Sequence, residues 1–329
     1  MAFPPFLFTE ENLGIPQKIL YQVYLHAVGL FKSVRNCVPT GPTGTDAQRN
    51  HDLDDSLTHV LIASSSILIL ANPSHQTALN ARKHLVRMRL VDPHAELRFM
   101  ASLLSSQHCA KHAELWYHRR WLLSSVHDVH PHTTLCGDSY PRLQFASLGM
   151  LHEELELVSR ACELYPRNYF AWIHRMICMR SLLLCYLTGT DTVGFVPIFR
   201  QETAGIKEWI ARHVSDYSAV HYFLTLSQAA FQSKDSSLVG IMVEEGQPDH
   251  AISLVREYPD HEALWVYTQS VLSISDSWDA YQTQQFVDCF VRPLAYSQHP
   301  KTGDSDDITK APQHARQFLE RNTSLKVSI

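Results

Sequence analysis

The sequence predicts an all-α protein built from tandem helical hairpins, and three observations support this fold class. Glycine is scarce, at 12 of 329 residues, whereas a sheet-rich chain with many tight turns needs more of it. Apolar residues recur at helical spacing in several segments. A short pattern, in which a large apolar residue follows a proline by six positions, returns along the chain. Such a repeat predicts a right-handed solenoid, or crescent, of about five hairpins.

Composition excludes several classes of protein. The 28 basic and 33 acidic residues give a net charge of −5, so the chain has no basic field for a nucleic-acid partner. Seven cysteines without a C-x-x-C pair are typical of a reducing compartment, and we expect a cytoplasmic protein. The best candidate for a membrane span, residues 57–71, contains His59 and three serines, so we interpret it as a buried helix.

The repeated unit consists of a helix, a break and a second helix with a bulky anchor near its start. Pro73, Pro166 and Pro259 cannot continue a helix, so the first helix of each unit is expected to end just before them. Asn168 and Asp260 are available to cap the second helix. Two further copies lack the proline but keep the anchor. The five predicted anchors are Leu79, Trp116, Trp172, Val220 and Trp265.

The order of these units divides the chain into three parts. Residues 1–55 are predicted to form an N-terminal helix, at about 16–32, followed by a polar linker. Residues 56–296 form the repeat solenoid, with loops at 124–142, 188–197 and 232–248. Residues 297–329 form a polar tail that we expect to be mobile, with a short closing helix near 315–321.

Polar residues recur two and three positions after the anchors. The histidines at the second position are predicted to hydrogen-bond between neighbouring helices. The arginines at the third position have two open interpretations. They either pair with carboxylates such as Glu153, Glu154 or Glu156 or face a partner subunit. The residues of this possible interface are Arg82, His118, Arg119, His174 and Arg175.

The iterated motif Lys/Arg-x-x-x-x-Trp-x-His-Arg, with its Trp-x-His-Arg core at 116–119 and 172–175, resembles the alpha-subunit repeat of protein prenyltransferases. The resemblance covers about residues 12–274 and implies a crescent of helix pairs, similar to tetratricopeptide arrays, around a beta subunit. It further implies that this chain binds no cofactor, because zinc and the isoprenoid pocket belong to that beta subunit, which would be similar to that of Rab geranylgeranyltransferase.

The same resemblance implies a function and two site residues. The implied function is that of an alpha-type subunit in a heterodimeric enzyme. That enzyme transfers a geranylgeranyl group from geranylgeranyl diphosphate to the C-terminal cysteine of a client protein. Lys111, five residues before Trp116, matches a lysine that reaches the isoprenoid diphosphate, and Tyr169, three before Trp172, matches a tyrosine at the same cleft. The alternative for Lys111 is a solvated lysine between helices, and the alternative for Tyr169 is an aromatic ring that packs at the start of a helix.

Two rival functions stay open. Leu79 and Val220 replace the anchor tryptophan, and Phe223 and Thr268 stand where other copies have arginine. This loss favours a non-enzymatic helical-repeat adaptor that binds peptides or proteins. The weakest rival is a metal-dependent activity at residues 127–132, where three histidines lie in an insertion without rigid spacing. We therefore predict no metal site in this chain.

Overall fold

The computed structural model describes residues 2–3, 6–9, 12–37, 51–126, 143, 148–190, 194–245, 248–274, 280–297 and 310–321. The chain forms two compact units, the first made of Met1–Ala146 with Leu155–Tyr165, the second of Ser147–Glu154 with Pro166–Ile329. The helices are α1 (Gln17–Val34), α2 (His51–Ala71), α3 (Gln76–Arg87), α4 (Pro93–Leu104), α5 (Gln107–Ala110), α6 (Ala113–Val126), α7 (Leu148–Leu164), α8 (Tyr169–Leu187), α9 (Phe195–Arg212), α10 (Tyr217–Ser233), α11 (Ser236–Glu245), α12 (Pro248–Glu257), α13 (Glu262–Ile274), α14 (Ala280–Phe286), α15 (Arg292–Ala295) and α16 (Ala311–Arg321).

The predicted all-α repeat fold is confirmed. In the first unit, α1 packs on α2, which forms a hairpin with α3, and α4 packs on α6 after the single turn of α5. In the second unit, α10 packs on α8, α9 and α13, and α13 packs on α12. A small antiparallel sheet of β1 (Ala2–Phe3), β2 (Phe6–Thr9) and β3 (Asn12–Gly14) precedes the helices and was not predicted.

The predicted helix breaks agree with the structure. Helices α2, α7 and α12 each end two residues before their proline, at Pro73, Pro166 and Pro259 respectively. Asn168 caps α8, since its side-chain oxygen accepts a hydrogen bond from the N–H of Ala171 at 3.2 Å. The break therefore follows from the local sequence, because proline lacks the N–H and restricts the residue before it.

Asp260, predicted to cap α13, instead caps another helix. Its Oδ1 accepts a hydrogen bond from the N–H of Ala311 at 2.8 Å, at the start of α16. Asp260 lies five residues before its anchor. We call this position of the repeat the linking row, because its residues contact the next hairpin in two other copies as well. Ser74 Oγ lies 2.9 Å from Nδ1 of His112, and Ser215 Oγ lies 2.6 Å from Nδ1 of His261. The position five before an anchor thus links one second helix to the next.

The closing helix predicted near 315–321 is present as α16, which begins earlier, at Ala311, and forms part of a further hairpin. α14, the π-helical turn Val287–Val291 and α15 form its first helix, and α16 forms its second. Phe318 packs its ring 5.5 Å from that of Trp265 and 6.1 Å from that of Phe286. The polar composition of the segment hides this packing, because only one face of α16 is buried.

Two predicted loop boundaries also change. The predicted loop 232–248 contains α11, since Leu238, Ile241 and Met242 lie on one buried face at helical spacing. Helix α2 begins at His51, within the predicted linker.

One helix within the described ranges, α8, is long and apolar enough to cross a membrane by length and composition. It was not the candidate taken from the sequence. A little over half of its apolar stretch, 56%, is buried inside the fold.

Candidate functional site

The five anchors lie in the core of their units. Their side chains are between 0% and 5% exposed, so they pack rather than bind a ligand. The indole N–H groups of Trp116 and Trp265 donate to main-chain carbonyls six residues earlier, at Ala110 and Pro259, both at 2.8 Å. Each of these anchors thereby closes the turn that leads into its own helix.

Trp172 makes a longer connection. Its indole N–H donates to Oδ2 of Asp216 at 3.2 Å, and Trp209 donates to the same oxygen at 3.1 Å. The other oxygen of Asp216 accepts from the N–H groups of Ser218 and Ala219. Four donors therefore satisfy a carboxylate that is 2% exposed, and Asp216 ties the anchor of α8 to the start of α10.

In the first unit, a buried carboxylate joins three helices. Glu96 on α4 accepts hydrogen bonds from Nε of Arg82 on α3 at 2.7 Å and from Nε2 of His118 on α6 at 3.1 Å. Burial raises the pKa of Glu96, but the hydrogen bonds and positive charges of His118 and Arg82 outweigh burial and lower it. Burial lowers the pKa of His118, so the ring is held neutral near pH 7.

The second unit has an equivalent group. Glu202 on α9 accepts from Nη2 of Arg175 on α8 at 2.8 Å and from the hydroxyl of Tyr222 on α10. Tyr222 is fully enclosed, and burial followed by the charge of Glu202 raises its pKa well above the usual value. We call the Glu96 and Glu202 groups the two glutamate clusters. In each, an arginine three residues after an anchor pairs with the first helix of the next hairpin.

The interpretation of the histidines and arginines as partner contacts is corrected by their position. They are buried inside the chain, apart from Arg175, which is half-buried. His118 and His174 hydrogen-bond to neighbouring helices as predicted, the latter to Oε2 of Glu154 at 2.8 Å. Arg119 donates to the main-chain oxygen of Leu97 at 2.8 Å. Arg175 pairs with Glu202 on α9, a carboxylate that was not among those named from the sequence.

Lys111 has different surroundings. It lies five residues before its anchor, the position that contacts the next hairpin in other copies of the repeat. Lys111 is nevertheless exposed, and its side chain has no hydrogen bond or ion pair within the described residues. His108 is exposed beside it, and the rings of His108 and His112 lie 5.7 Å apart. Burial, then the charge of His108, lowers the pKa of His112. Lys111 is therefore an accessible cation at the start of α6.

Tyr169 begins α8 and is 53% exposed. It lies at the edge of a small, shallow cleft within the second unit. The floor is apolar, and Tyr169, Ser218 and His221 are the polar groups at its rim. The lining residues are Tyr169, Trp172, Ile173, Met176, Ser218, His221 and Tyr222. The Tyr169 ring also packs edge-on against that of Phe170, with ring centres 5.5 Å apart.

Sequence reasoning missed three acidic residues and one basic residue. Glu96, Glu202 and Asp216 organise the buried polar groups, and the weak signal for the two glutamates was their position among apolar residues of amphipathic helices. Arg167 occupies the same row as Lys111, is exposed, and has a left-handed φ of 60°. Lys111 belongs to the first unit and Arg167 to the second.

No group of three or more His, Cys, Asp or Glu side chains able to hold a metal ion occurs among the residues that the structure describes. The histidines of 127–132, proposed above as the weakest rival site, lie outside those residues.

Comparison with known proteins points to one family. The family model of the protein prenyltransferase alpha subunit repeat matches residues 93–126 and 151–182, which are the hairpin α4–α6 and most of α7 and α8. Protein prenyltransferase alpha subunit repeat-containing protein 1 of Danio rerio is 27% identical over 251 residues, 66% of this chain and 55% of the relative. The Homo sapiens protein of the same name is 28% identical over 73% of this chain and 59% of its own length.

A more distant relative is the geranylgeranyl transferase type-2 subunit alpha of Homo sapiens, 27% identical over 70% of this chain and 36% of the relative. The chain thus spans a little over half the length of the first two relatives. The matched segments contain Trp116, Trp172 and the motif residues that follow them. Two segments of this helical chain therefore match the protein prenyltransferase alpha subunit repeat, and the relatives named above are similar to it over about two thirds of its length.

Proposed function

We propose that this chain is the alpha-type subunit of a heterodimeric, cytoplasmic protein prenyltransferase. In this proposal it supports transfer of a geranylgeranyl group from its diphosphate to a C-terminal cysteine of a client protein. The partner is a beta subunit similar to that of Rab geranylgeranyltransferase. The observation that carries the proposal is the pair of family repeats in which an exposed cation, Lys111, stands directly before the second helix.

The reaction needs charge stabilisation that this chain could supply. The client thiolate attacks the first carbon of the isoprenoid, a C–S bond forms, the C–O bond breaks, and the diphosphate leaves with the electron pair. Lys111 is proposed to contact that diphosphate, because an ammonium group stabilises the negative charge that develops on the leaving group. Tyr169, a partly exposed residue, is proposed to donate a hydrogen bond from its hydroxyl to the diphosphate. Zinc, assigned to the beta subunit, lowers the thiol pKa when bound.

The experiment is reconstitution. The purified chain, a beta subunit, geranylgeranyl diphosphate and a client with a C-terminal cysteine are combined, and prenylated client is measured by mass spectrometry. We expect transfer only when both subunits are present. Transfer by this chain alone would contradict the proposal, and so would a stable heterodimer that remains inactive with every client tried.

Two matched pairs of variants locate the chemistry. Lys111→Ala is expected to lower kcat/KM by about ten-fold or more, whereas Arg98→Ala, which removes an exposed cation of α4, leaves it unchanged. Tyr169→Phe is expected to lower it by a few-fold, with Tyr281→Phe as the control for an exposed tyrosine. Subunit association, measured by sedimentation, should be the same for all four variants. Equal rates in each pair would remove these residues from the proposed site.

A second candidate is the non-enzymatic adaptor, which the degenerate later repeats favour. The anchor Val220 and the residues Phe223 and Thr268 depart from the Trp and Arg of the matched repeats. An adaptor would bind client peptides without a beta subunit. Retention of a client peptide by this chain alone, unaffected by Lys111→Ala, would support the adaptor over the transferase.

A further inference from the structure

Helix α3 of the first unit is basic along its length. It contains Arg82, Lys83, His84 and Arg87 and no acidic residue, although the whole chain has a net charge of −5. Arg82 is neutralised internally by Glu96. Lys83 is half-buried and Arg87 is exposed, and neither has an ion pair with any residue of the described ranges. The surface of α3 therefore retains two uncompensated positive charges.

Both cations lie over one aromatic ring. Nζ of Lys83 is 5.6 Å and Cζ of Arg87 is 5.3 Å from the ring centre of Trp121 on α6. A single indole attracts a cation only weakly, so it does not cancel two like charges held four residues apart. Burial, then the charge of Arg87, lowers the pKa of Lys83, as expected where no carboxylate is near. The arrangement holds two repelling cations together.

Two aromatic side chains of α6, the exposed Tyr117 and the half-buried Trp121, continue the patch. Tyr117 lies one helical turn before Trp121 and is 60% exposed, and the guanidinium of the buried Arg120 lies 4.5 Å from the centre of its ring. Stacking by Arg120 fixes the Tyr117 ring in place. We call Lys83, Arg87, Tyr117 and Trp121 the α3–α6 face. It combines two accessible cations with two aromatic side chains.

We propose that the α3–α6 face is a docking surface for an acidic segment of a protein partner. Two cations at i and i+4 lie about 6 Å apart, which matches carboxylates one helical turn apart on a partner helix. The carboxylates would neutralise Lys83 and Arg87, and apolar side chains of the same segment would pack on Tyr117 and Trp121. The proposal does not depend on prenyl transfer.

Charge complementarity favours a peptide over a nucleic acid. Nucleic-acid surfaces neutralise many phosphates along a groove, whereas this face offers two free cations on a chain that is acidic overall. An acidic peptide needs only a few matched charges, and it gains apolar contact from Tyr117 and Trp121. Tyrosine, tryptophan and arginine are also the side chains most enriched in protein-binding hot spots.

The test uses the full chain and a fluorescein-labelled helical peptide of alanine, leucine and glutamate, with glutamates four residues apart. Binding is followed by fluorescence anisotropy at about 50 mM and about 500 mM salt. We expect binding at low salt that weakens at high salt. The double variant Lys83→Glu/Arg87→Glu is expected to bind about ten-fold more weakly, since two favourable charge pairs become repulsive.

Matched controls separate this face from general charge effects. Arg98→Glu with Lys32→Glu changes the net charge of the first unit equally at exposed positions, and it should bind the peptide as the wild type does. Trp121→Leu keeps both cations and is expected to lose about three-fold in affinity. Circular dichroism shows whether each variant is folded. If Lys83→Glu/Arg87→Glu is not folded, the double variant Lys83→Gln/Arg87→Gln is used in its place.

Three outcomes would overturn the proposal. The first is equal loss in the Arg98 and Lys32 control, which would indicate a non-specific charge effect. The second is equal affinity of the wild type for a peptide with lysine in place of glutamate. The third is tighter binding of a single-stranded oligothymidine that the Lys83 and Arg87 substitutions abolish, which would make the face a nucleic-acid site.

Discussion

The residue three positions after an anchor is stabilised in one way in the two glutamate clusters and in another way in the α12–α13 hairpin. Around Glu96 and Glu202, an arginine three residues after one anchor meets a buried carboxylate from the next hairpin. In α13 the same position is Thr268, whose hydroxyl donates to the main-chain oxygen of Leu264 at 2.8 Å and lies 3.2 Å from that of Ala251. Tyr267 beside it packs edge-on against Phe223, with ring centres 5.3 Å apart.

The difference teaches that the buried ion pair is one solution among several. A buried pair repays its desolvation only when its geometry is good and the remaining polar atoms are bonded, and well-packed apolar groups of similar volume often do as well. Phe223 and Thr268 show this replacement within the same chain. The clusters are therefore sensitive to the loss of one member, whereas the α12–α13 hairpin has little to lose at Thr268.

The largest expected effect concerns the anchors on the two sides of this comparison. Trp172→Ala is expected to lower the free energy of unfolding by about 5 kcal/mol and Trp265→Ala by about 3 kcal/mol. Trp172 contacts Trp209 and Tyr222 and donates to the buried Asp216, whereas Trp265 donates only to a main-chain carbonyl. Denaturant unfolding measures both. Equal losses would show that the Asp216 contact adds nothing, and an unchanged Trp172→Ala would mean that the ring is not packed.

The next effect tests one glutamate cluster. Arg82→Leu is expected to cost about 3 kcal/mol, because it leaves the Glu96 carboxylate buried with His118 as its main partner. The double variant Arg82→Leu/Glu96→Leu removes the unpaired charge and should regain most of that loss. Thermal unfolding of the two variants and the wild type checks this. A double variant as unstable as the single one would show that the ion pair itself stabilises the fold.

The corresponding change in the α12–α13 hairpin should be small. Thr268→Val keeps the shape of the side chain and removes one hydroxyl that bonds to main-chain oxygens. We expect a loss of at most about 1 kcal/mol, the usual net value of a hydrogen bond. The measurement is the same unfolding experiment. A loss as large as that of Arg82→Leu would erase the distinction between the two regions.

The smallest effect is the part of the pH dependence of stability that comes from the Glu96 cluster. The pKa of His118 is lower in the folded chain than its usual 6.5, so the unfolded chain binds a proton first as pH falls. Stability is then lost as pH falls through about 6.5. Glu96, whose pKa lies below 4.5, adds a further loss at more acidic pH. His118→Asn should reduce the slope of unfolding temperature against pH near 6.

The slope should not disappear in that variant, because burial also lowers the pKa values of His112 and His250 in the folded chain. These two histidines shift stability in the same direction. A slope that His118→Asn leaves unaltered would place the acid sensitivity of the chain with them and not with the Glu96 cluster.

Much of the fold could be predicted from local features. The breaks before Pro73, Pro166 and Pro259, the cap at Asn168 and the burial of the anchors follow from what each residue does to its own turn of helix. Helix α11 was missed, because a short segment with one buried face resembles a loop in composition. The closing helix near 315–321 was predicted, but its start at Ala311 and its packing in a hairpin were not. For the candidate site, the sequence indicated Lys111 and Tyr169, and the structure places both at the surface of their units.

The amino-acid sequence by itself determined where helices begin and end and which side chain each hairpin buries first, because these choices depend on neighbours within one or two turns. The tertiary structure decided which carboxylate each arginine meets and which cations stay unpaired. Arg82 and Glu96 are 14 residues apart, and Trp172 and Asp216 are 44 apart. Periodicity identifies a buried face, but only the packing of one helix on another fixes the partner that satisfies it.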